Sequence, residues 1–444
     1  MAQMNTGNAG LPENHPDPPR LLEHVQMLSD RIGPRPFASR AEEQASRYIE
    51  QSLKGYGIQI TRQTFYCKSY EYHLTAEIIG PNDRKINCVP YLELFFRPGE
   101  THLCAPLVKL SAKDIAGKIV LLPSPNFLPF DTIAECGRQG AVAVLTYYRF
   151  SGSLIKRPVL RDYLQQFSAF LCKWRLPIFL ISETDGQYIE SIIAQSPYFA
   201  FSLRLERPCR LAYNVIGEVG TGDVGVIISA HHDSDWTVRS PGACDNAAGV
   251  AVLLETARIL SKEHRKRTSL ADHYVRFVSF AAEEYFGLGS LIHCFPSLRR
   301  LTGPLPPVLL NMVGQMLSRL KMRRHCPVPV INLDSLGRRG LLAVSVANGM
   351  ITLGSRTIAS IAEDVCDSTD KFGRLQYMEV SEDAGDGKYF TRLGYPVISI
   401  TSAGTGLAMF EHSTGDVYKH LDIHSLARTV DLVCDLTRTM LSHC

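Results

Sequence analysis

From Leu211 onward the chain alternates short apolar runs with helical patterns, and this alternation limits its fold more than any other feature. Val224–Ala230, Val275–Ala281, Val330–Leu333, Leu341–Val346 and Pro396–Thr401 have strand composition, whereas Gly249–Leu260 has the spacing of a helix. Strands that alternate with helices pair through crossovers, so the expected class is α/β, a mostly parallel mixed sheet sandwiched by helices. In open sheets of this kind, chemistry gathers at the carboxyl ends of the strands.

Those ends carry a repeated chemical theme. The first run stops at His231-His232-Asp233, and Cys244-Asp245-Asn246 stands just before the long helix. The next run leads to Glu283-Glu284, the third to Asp334, and the last to Glu411-His412 after a short loop. One aspartate at a helix start is explained by capping alone, and one histidine packs readily in a core. Five such positions in one sheet are the carboxylate-plus-imidazole set that holds zinc in hydrolytic sites. Asp233, two residues from His231, has the spacing of a carboxylate that fixes a ligand imidazole's tautomer from behind. Adjacent Glu283 and Glu284 divide the labour: one faces a metal, the other faces water as general base.

The rest of the chain organises around this part. Its 444 residues suggest about three units. Residues 1–17, rich in Asn, Gly and Pro, read as a mobile tail. Helices are expected over Pro19–Arg31 and, capped by Ser39 with Glu42 three residues on, up to Gly55. Strand-like runs over Gln59–Tyr66 and Tyr72–Ile79 follow, then a turn feeding a buried strand over Asp114–Leu122 and strands at Ala141–Tyr147 and Leu176–Ile181 around a helix ending at Gly140. From Ala76 to Pro208 this order resembles the protease-associated domain, a small β-rich insert of several peptidase families. The expected division is a discontinuous catalytic domain of residues 18–75 and 209–444 with the insert at 76–208.

Composition removes other classes. Against 44 Asp+Glu stand 47 Lys+Arg, so no basic face steers the chain to nucleic acid. Apolar residues make up 45% and charged ones 20%, enough for a core and against wholesale disorder. No run reaches ~18 uninterrupted apolar residues, so membrane association is not expected. The first 20 residues lack the apolar stretch of a secretion signal, and the 12 cysteines form no CxxC pair. Reduced thiols and a cytoplasmic location are the expectation.

The runs SAHHDSDW (229–236), PGACDNAAGVAVLLETARIL (241–260), VRFVSFAAEEYFGLGS (275–290), VINLDSLG (330–337) and EHSTGD (411–416) together resemble the co-catalytic zinc aminopeptidase family. That family also holds glutamate carboxypeptidases and glutaminyl cyclases. The resemblance implies two zinc ions, His231 and Asp334 on one, Glu284 and His412 on the other, and Asp245 bridging them. It implies Glu283 as the base, and its His-x-Asp pattern selects His231 over His232. Cys244 reads as packed rather than as a ligand. Trp236 lines a substrate pocket or anchors its loop. Where relatives carry a Ser-Asp pair ahead of a phenylalanine, this chain has Gly385-Asp386 before Phe390, and Glu382, Asp383 and Asp386 form either a lure for a substrate ammonium or a solvated loop. Residues 291–329, with the apolar run Leu305–Leu317 and the basic Arg319, Lys321, Arg323 and Arg324, read as a lid or a dimer contact rather than a membrane-surface helix. The implied activity is removal of amino-terminal residues from a peptide or small amide substrate with a free amino group. The alternatives are a cyclase or specialised amide hydrolase on the same scaffold and, last, an inactive binding protein. The oligomeric state stays open.

Overall fold

The computed structural model describes residues 15–80, 82–91, 98–124, 130–148, 176–222, 224–266, 273–303, 307–320, 328–367, 375–403 and 411–443. Helix α1 (Pro18–Gln26) starts with Pro18 and Pro19, whose rings suit a first turn. Asp17 caps it by accepting the Arg20 amide, and the Asp17 amide is itself held by Glu255, so this end of the expected tail is tied down. The expected single helix to Arg31 changes at Met27 into wider π-type turns over Met27–Ile32, which stop at Gly33 with φ 79°. Helix α2 (Arg40–Gly55) begins where Ser39 Oγ accepts the Glu42 amide.

Strand β1 (Gln59–Lys68) is followed after two residues by β2 (Glu71–Ile79), which belongs to a different sheet. That second sheet adds β3 (Arg84–Lys85), β4 (Cys88–Pro90), β5 (Gly99–Lys109), β6 (Ile119–Ser124), β7 (Ala143–Tyr148), β8 (Ile178–Ile181) and β9 (Tyr198–Glu206). Its order is β3-β2-β9-β5-β6-β7-β8-β4, with α3 (Phe130–Arg138) and α4 (Glu183–Ile192) beside it. The chain returns through β10 (Cys209–Val219), paired antiparallel with β1 along its whole length. The two crossings lie side by side, the Ser69 amide donating to the Pro208 carbonyl at 2.9 Å. The change of sheet thus comes at residues 69–70, and the boundary expected after residue 75 falls inside β2.

The remaining strands complete the first sheet: β11 (Val224–His231), β12 (His273–Phe280), β13 (Val330–Leu333), β14 (Leu341–Ala347), β17 (Leu375–Val380) and β18 (Val397–Ala403), with β15 (Thr352–Leu353) and β16 (Arg356–Thr357) making a small separate pair. The order is β1-β10-β12-β11-β13-β18-β14-β17. The centre, β12-β11-β13-β18, is parallel, whereas β14 runs antiparallel to β18. Helices α5 (Gly249–Arg265), α6 (Leu288–Cys294), α7 (Pro307–Leu320), α8 (Ile358–Asp367), α9 (Gly387–Leu393) and α10 (Ile423–Ser442) pack on it. α5 is buried from Gly249 through Ser261, as a helix apolar nearly all round requires. Its two buried acids are each paired with an arginine, Glu255 with Arg258 at 2.6 Å and Glu263 with Arg438 at 2.5 Å.

A second apolar cluster joins the two sheets, running from Phe179, Phe199 and Phe201 to Phe37, Trp236, Tyr285, Leu291 and Tyr389. Helix α7, from the expected lid, adds buried Leu310 to it and turns Leu309, Met312 and Met316 outward. The basic residues Lys321, Arg323 and Arg324 lie outside the described residues, as does the Arg319 side chain. Among the described residues no helix is long and apolar enough to cross a membrane, and nine cysteines carry no disulfide.

Where α1 meets α2, His24 is buried with Nδ1 2.6 Å from the Tyr48 hydroxyl and Nε2 3.3 Å from that of Tyr56. Burial, then the charges of Arg20 and Arg258, push its pKa down to about 4. Unfolded chain takes up this proton near 6.5, the folded chain only near 4, so stability is lost as pH falls between them. Urea unfolding at pH 7 and pH 5 should show this group costing about 2 kcal/mol. His24→Gln should remove that part of the pH dependence; an unchanged slope would refute the linkage.

Candidate metal centre

Neighbouring parallel strands β11, β12 and β13 end together. His231 is in register with Phe280 of β12, and His231 and Asp334 each stand two residues beyond Ser229 and Asn332, the last pair between β11 and β13. Asp245 comes from the segment before α5, and His412 from the turn preceding α10. Four distant stretches of sequence thus meet at one edge of the sheet.

Asp245 is the centre of the arrangement. Its Oδ1 lies 3.1 Å from His231 Nε2 and its Oδ2 lies 3.1 Å from His412 Nε2. His231 Nε2 is also 3.4 Å from Asp334 Oδ1, and His412 Nε2 is 3.2 Å from Glu284 Oε2. Two groups of donors close enough to hold a metal ion result: His231 with Asp245 and Asp334, and His412 with Glu284 and Asp235. The donors fit a cation. His231 Nε2 and Glu284 Oε1 are buried and meet no hydrogen-bond geometry among the described residues, a costly state unless something else satisfies them. Nitrogen and carboxylate oxygen are also the donors zinc takes.

Electrostatics point the same way. Burial alone would depress His231, yet Asp233, Asp245 and Asp334 outweigh it and hold the imidazole well above its ordinary range. His412 is raised against the same penalty by Glu284 and Asp245. Burial would lift Asp245, but the two histidines hold it below the usual carboxylate range. A site that stabilises positive charge on two imidazoles stabilises a metal cation too. Glu283 contacts neither histidine in this way, and burial pushes its carboxyl up to about 7.

The supporting residues act mostly on backbone. Asp233 faces His231 Nδ1 with its carbonyl at 3.3 Å and its carboxylate at 3.5 Å. Its stronger contacts are with the acid pair: Oδ1 accepts the Glu283 amide at 2.9 Å and Oδ2 the Glu284 amide at 3.1 Å. Sequence reasoning passed over three residues here. Asp235 joins the second donor group while its Oδ1 accepts the Thr237 and Val238 amides, and its signal was the second aspartate of His-His-Asp-Ser-Asp. Asp416 accepts the Cys244 and Asp245 amides at 2.8 and 3.1 Å, which fixes Asp245 from behind. Arg35, fully buried, donates to the carbonyls of Leu28, Gly33, His232, Pro241 and Gly242. It closes the loop from His232 to Gly242 and sets a fixed cation beside Asp233, Asp416, Asp245 and Glu284.

The two candidate pocket residues, Trp236 and Asp386, are both buried. Trp236 is 3% exposed, stacked on Tyr70 at 4.6 Å and edge-on to Phe37 and Tyr285, so it anchors its loop. It also walls a cavity of about 710 Å³ shared with Arg40, Tyr72 and Arg239. Asp386 is 1% exposed and Asp383 is buried with its Oδ1 on Ser399, so neither lies on a solvated loop; Glu382 alone is outside, paired with Arg392. Cys244 is buried and accepts from Arg338 Nε.

The pattern of Peptidase family M28 matches residues 214–437. Among curated proteins the chain is similar to Aminopeptidase YwaD of Bacillus subtilis (strain 168), 25% identical over 281 residues, 60% of this chain and 55% of the relative. It is also similar to probable leucine aminopeptidase 2 of Aspergillus fumigatus, 26% identical over 289 residues, 61% of this chain and 53% of the relative. The matched part thus spans about half the length of these relatives. Among solved structures, the fold is that of BSAP, a zinc aminopeptidase from Bacillus subtilis: TM-score 0.66, 21% identity, 96% of this chain and 95% of that one. A peptidase M28 precursor from Shewanella amazonensis SB2B gives TM-score 0.66 at 18% identity, over 95% of this chain and 92% of that one.

Replacing Arg35 by methionine keeps bulk but removes the guanidinium donors from five carbonyls, of which, among the described residues, only those of Leu28 and Gly242 also accept a backbone amide, from Gly33 and Ala247. Equilibrium unfolding of Arg35→Met should show a loss of at least ~3 kcal/mol. A loss under ~1 kcal/mol would mean the loop holds itself.

Proposed function

This chain belongs to peptidase family M28, and we propose that it is a zinc-dependent aminopeptidase that removes the amino-terminal residue of a peptide or small amide. The observation that carries the reading is Asp245, with one carboxylate oxygen toward each of two histidines that each have a further acid beside them. In this reading His231 and Asp334 hold one zinc, Glu284 and His412 a second, and Asp245 both. Zinc held there supplies Lewis acidity toward the scissile carbonyl and lowers the pKa of the attacking water.

The protein's own residues do the rest. Glu283 accepts the proton of the attacking water on its carboxylate and returns it to the departing amine. Asp233 keeps the Glu283 and Glu284 backbones in place for the two different tasks. Asp416 and Arg35 hold the segments carrying Asp245 and His232, so that the donors stay converged. A substrate's α-ammonium is drawn to this end of the sheet because carboxylates outnumber fixed cations there. That asymmetry supports cleavage from the amino terminus. The presence of a complete group at His231 and Asp334 beside that at His412 supports two metals, against the one-zinc cyclase reading, and the full donor set speaks against an inactive scaffold. The separate sheet between β1 and β10 supports reading residues 76–208 as a protease-associated-like insert.

Glu283→Gln, tested with an aminoacyl arylamide, should keep its metal and lose at least ~100-fold in kcat. Turnover near that of the parent would remove Glu283 from the role of base.

A further inference from the structure

The segment that presents Glu283 and Glu284 is neither strand nor helix, so its amides need partners from outside. All four from Ala281 to Glu284 find side-chain oxygens. Asn214 Oδ1 accepts from Ala281 at 3.0 Å, Glu42 Oε1 from Ala282 at 3.0 Å, and Asp233 from Glu283 and Glu284. Asn214 is in turn fixed through Nδ2 by Gln63 Oε1 and the Gly289 carbonyl.

Glu42 is the unexpected member. Its position three residues after Ser39 fits a helix-capping glutamate, which would reach back to the Ser39 amide. That amide instead donates to the Pro36 carbonyl. The Glu42 carboxylate, 2% exposed, reaches past the helix: Oε2 accepts the Ala38 amide at 2.5 Å and Oε1 the Ala282 amide, 240 residues away. Both alanines have left-handed backbones, φ 52° at Ala38 and φ 55° at Ala282. Residues with a Cβ resist that conformation, and they keep it only where the surroundings hold them. The same side chain therefore secures two strained backbone positions, one of them directly before the acid pair.

We propose that Glu42 is a positioning residue for the active site: by holding the Ala282 amide, it sets the backbone from which Glu283 and Glu284 project. This rests on the reading of Glu283 as base and Glu284 as metal ligand. Glutamine at position 42 has the same shape but one acceptor oxygen, so one of the two amides must face an NH2 group.

The test compares Glu42→Gln with Ser39→Ala in the full-length zinc-loaded protein. In Glu42→Gln, amide hydrogen exchange across residues 281–288 should speed up at least ~10-fold. Its kcat should fall about 10- to 100-fold with KM within about twofold, and its zinc, competed by a chelator, should bind about 10-fold more weakly. Ser39→Ala loses the α2 cap and some thermal stability, but should keep the parent's exchange pattern and kcat. Parental exchange and kcat in Glu42→Gln would overturn the proposal. Equal losses in Ser39→Ala would do so too, since Glu42 would then serve only the start of α2. Faster exchange in Glu42→Gln alongside full activity of Glu283→Gln would uphold the positioning and instead remove the base assignment.

Discussion

Burying acids is the constraint from which the rest of this structure follows. Asp233, Asp235, Asp245, Asp383, Asp386 and Asp416 are each less than a tenth exposed, with Glu283 and Glu284 beside them. Carboxylates removed from water are unfavourable unless hydrogen-bonded and balanced by positive charge. The fold answers with backbone amides, supplied in turn to Asp233, Asp235, Asp416 and Glu42. It answers also with the guanidinium of Arg35 and with two imidazoles held well above their ordinary pKa range. What remains uncompensated sits between His231, Asp245 and His412, where a divalent cation belongs.

The sheet makes this concentration possible. Three adjacent parallel strands end level, and each hands the chain to a loop at the same edge. An antiparallel arrangement would send alternate loops to the opposite edge. The apolar cluster shared by both sheets then braces the outer side of two of these loops, through Trp236 and Tyr285 packed with Phe37 and Tyr70. Residues next in sequence to Asp235 and Glu284 are therefore immobilised by packing, and the polar side chains need only be aimed.

Much of this was legible in the sequence because it is written locally. Val330–Leu333 is a buried central strand with no polar interruption except Asn332, and a continuous apolar run signals such a strand. Ser39 announces α2 by a chemistry that needs only the next three residues. The donors His231, Asp245, Glu284, Asp334 and His412 stood out because each ends an apolar run or precedes a helix. What stayed hidden acts over long separations. Arg35 follows a Gly-Pro pair and looks like a loop residue; its five acceptors lie as far as 207 positions along. Glu42 passes for a capping residue because nothing nearby reveals Ala282. Asp386 reads as either a lure for a substrate ammonium or part of a solvated loop; at the start of α9 it is buried, which raises its pKa, and near enough to Glu283 for that charge to raise it further. The exit of the chain into the second sheet at residues 69–70 is likewise unmarked, since β1 and β2 share one strand-like texture.

The central claim, that Asp245 joins two cation sites, is met most directly by crystallography of the zinc-loaded protein with anomalous scattering at the zinc edge. Two peaks are expected, one between His231 and Asp334, the other between His412 and Glu284, with an oxygen of Asp245 on each. A single peak, or none on a protein that elemental analysis shows to be zinc-loaded, would contradict it.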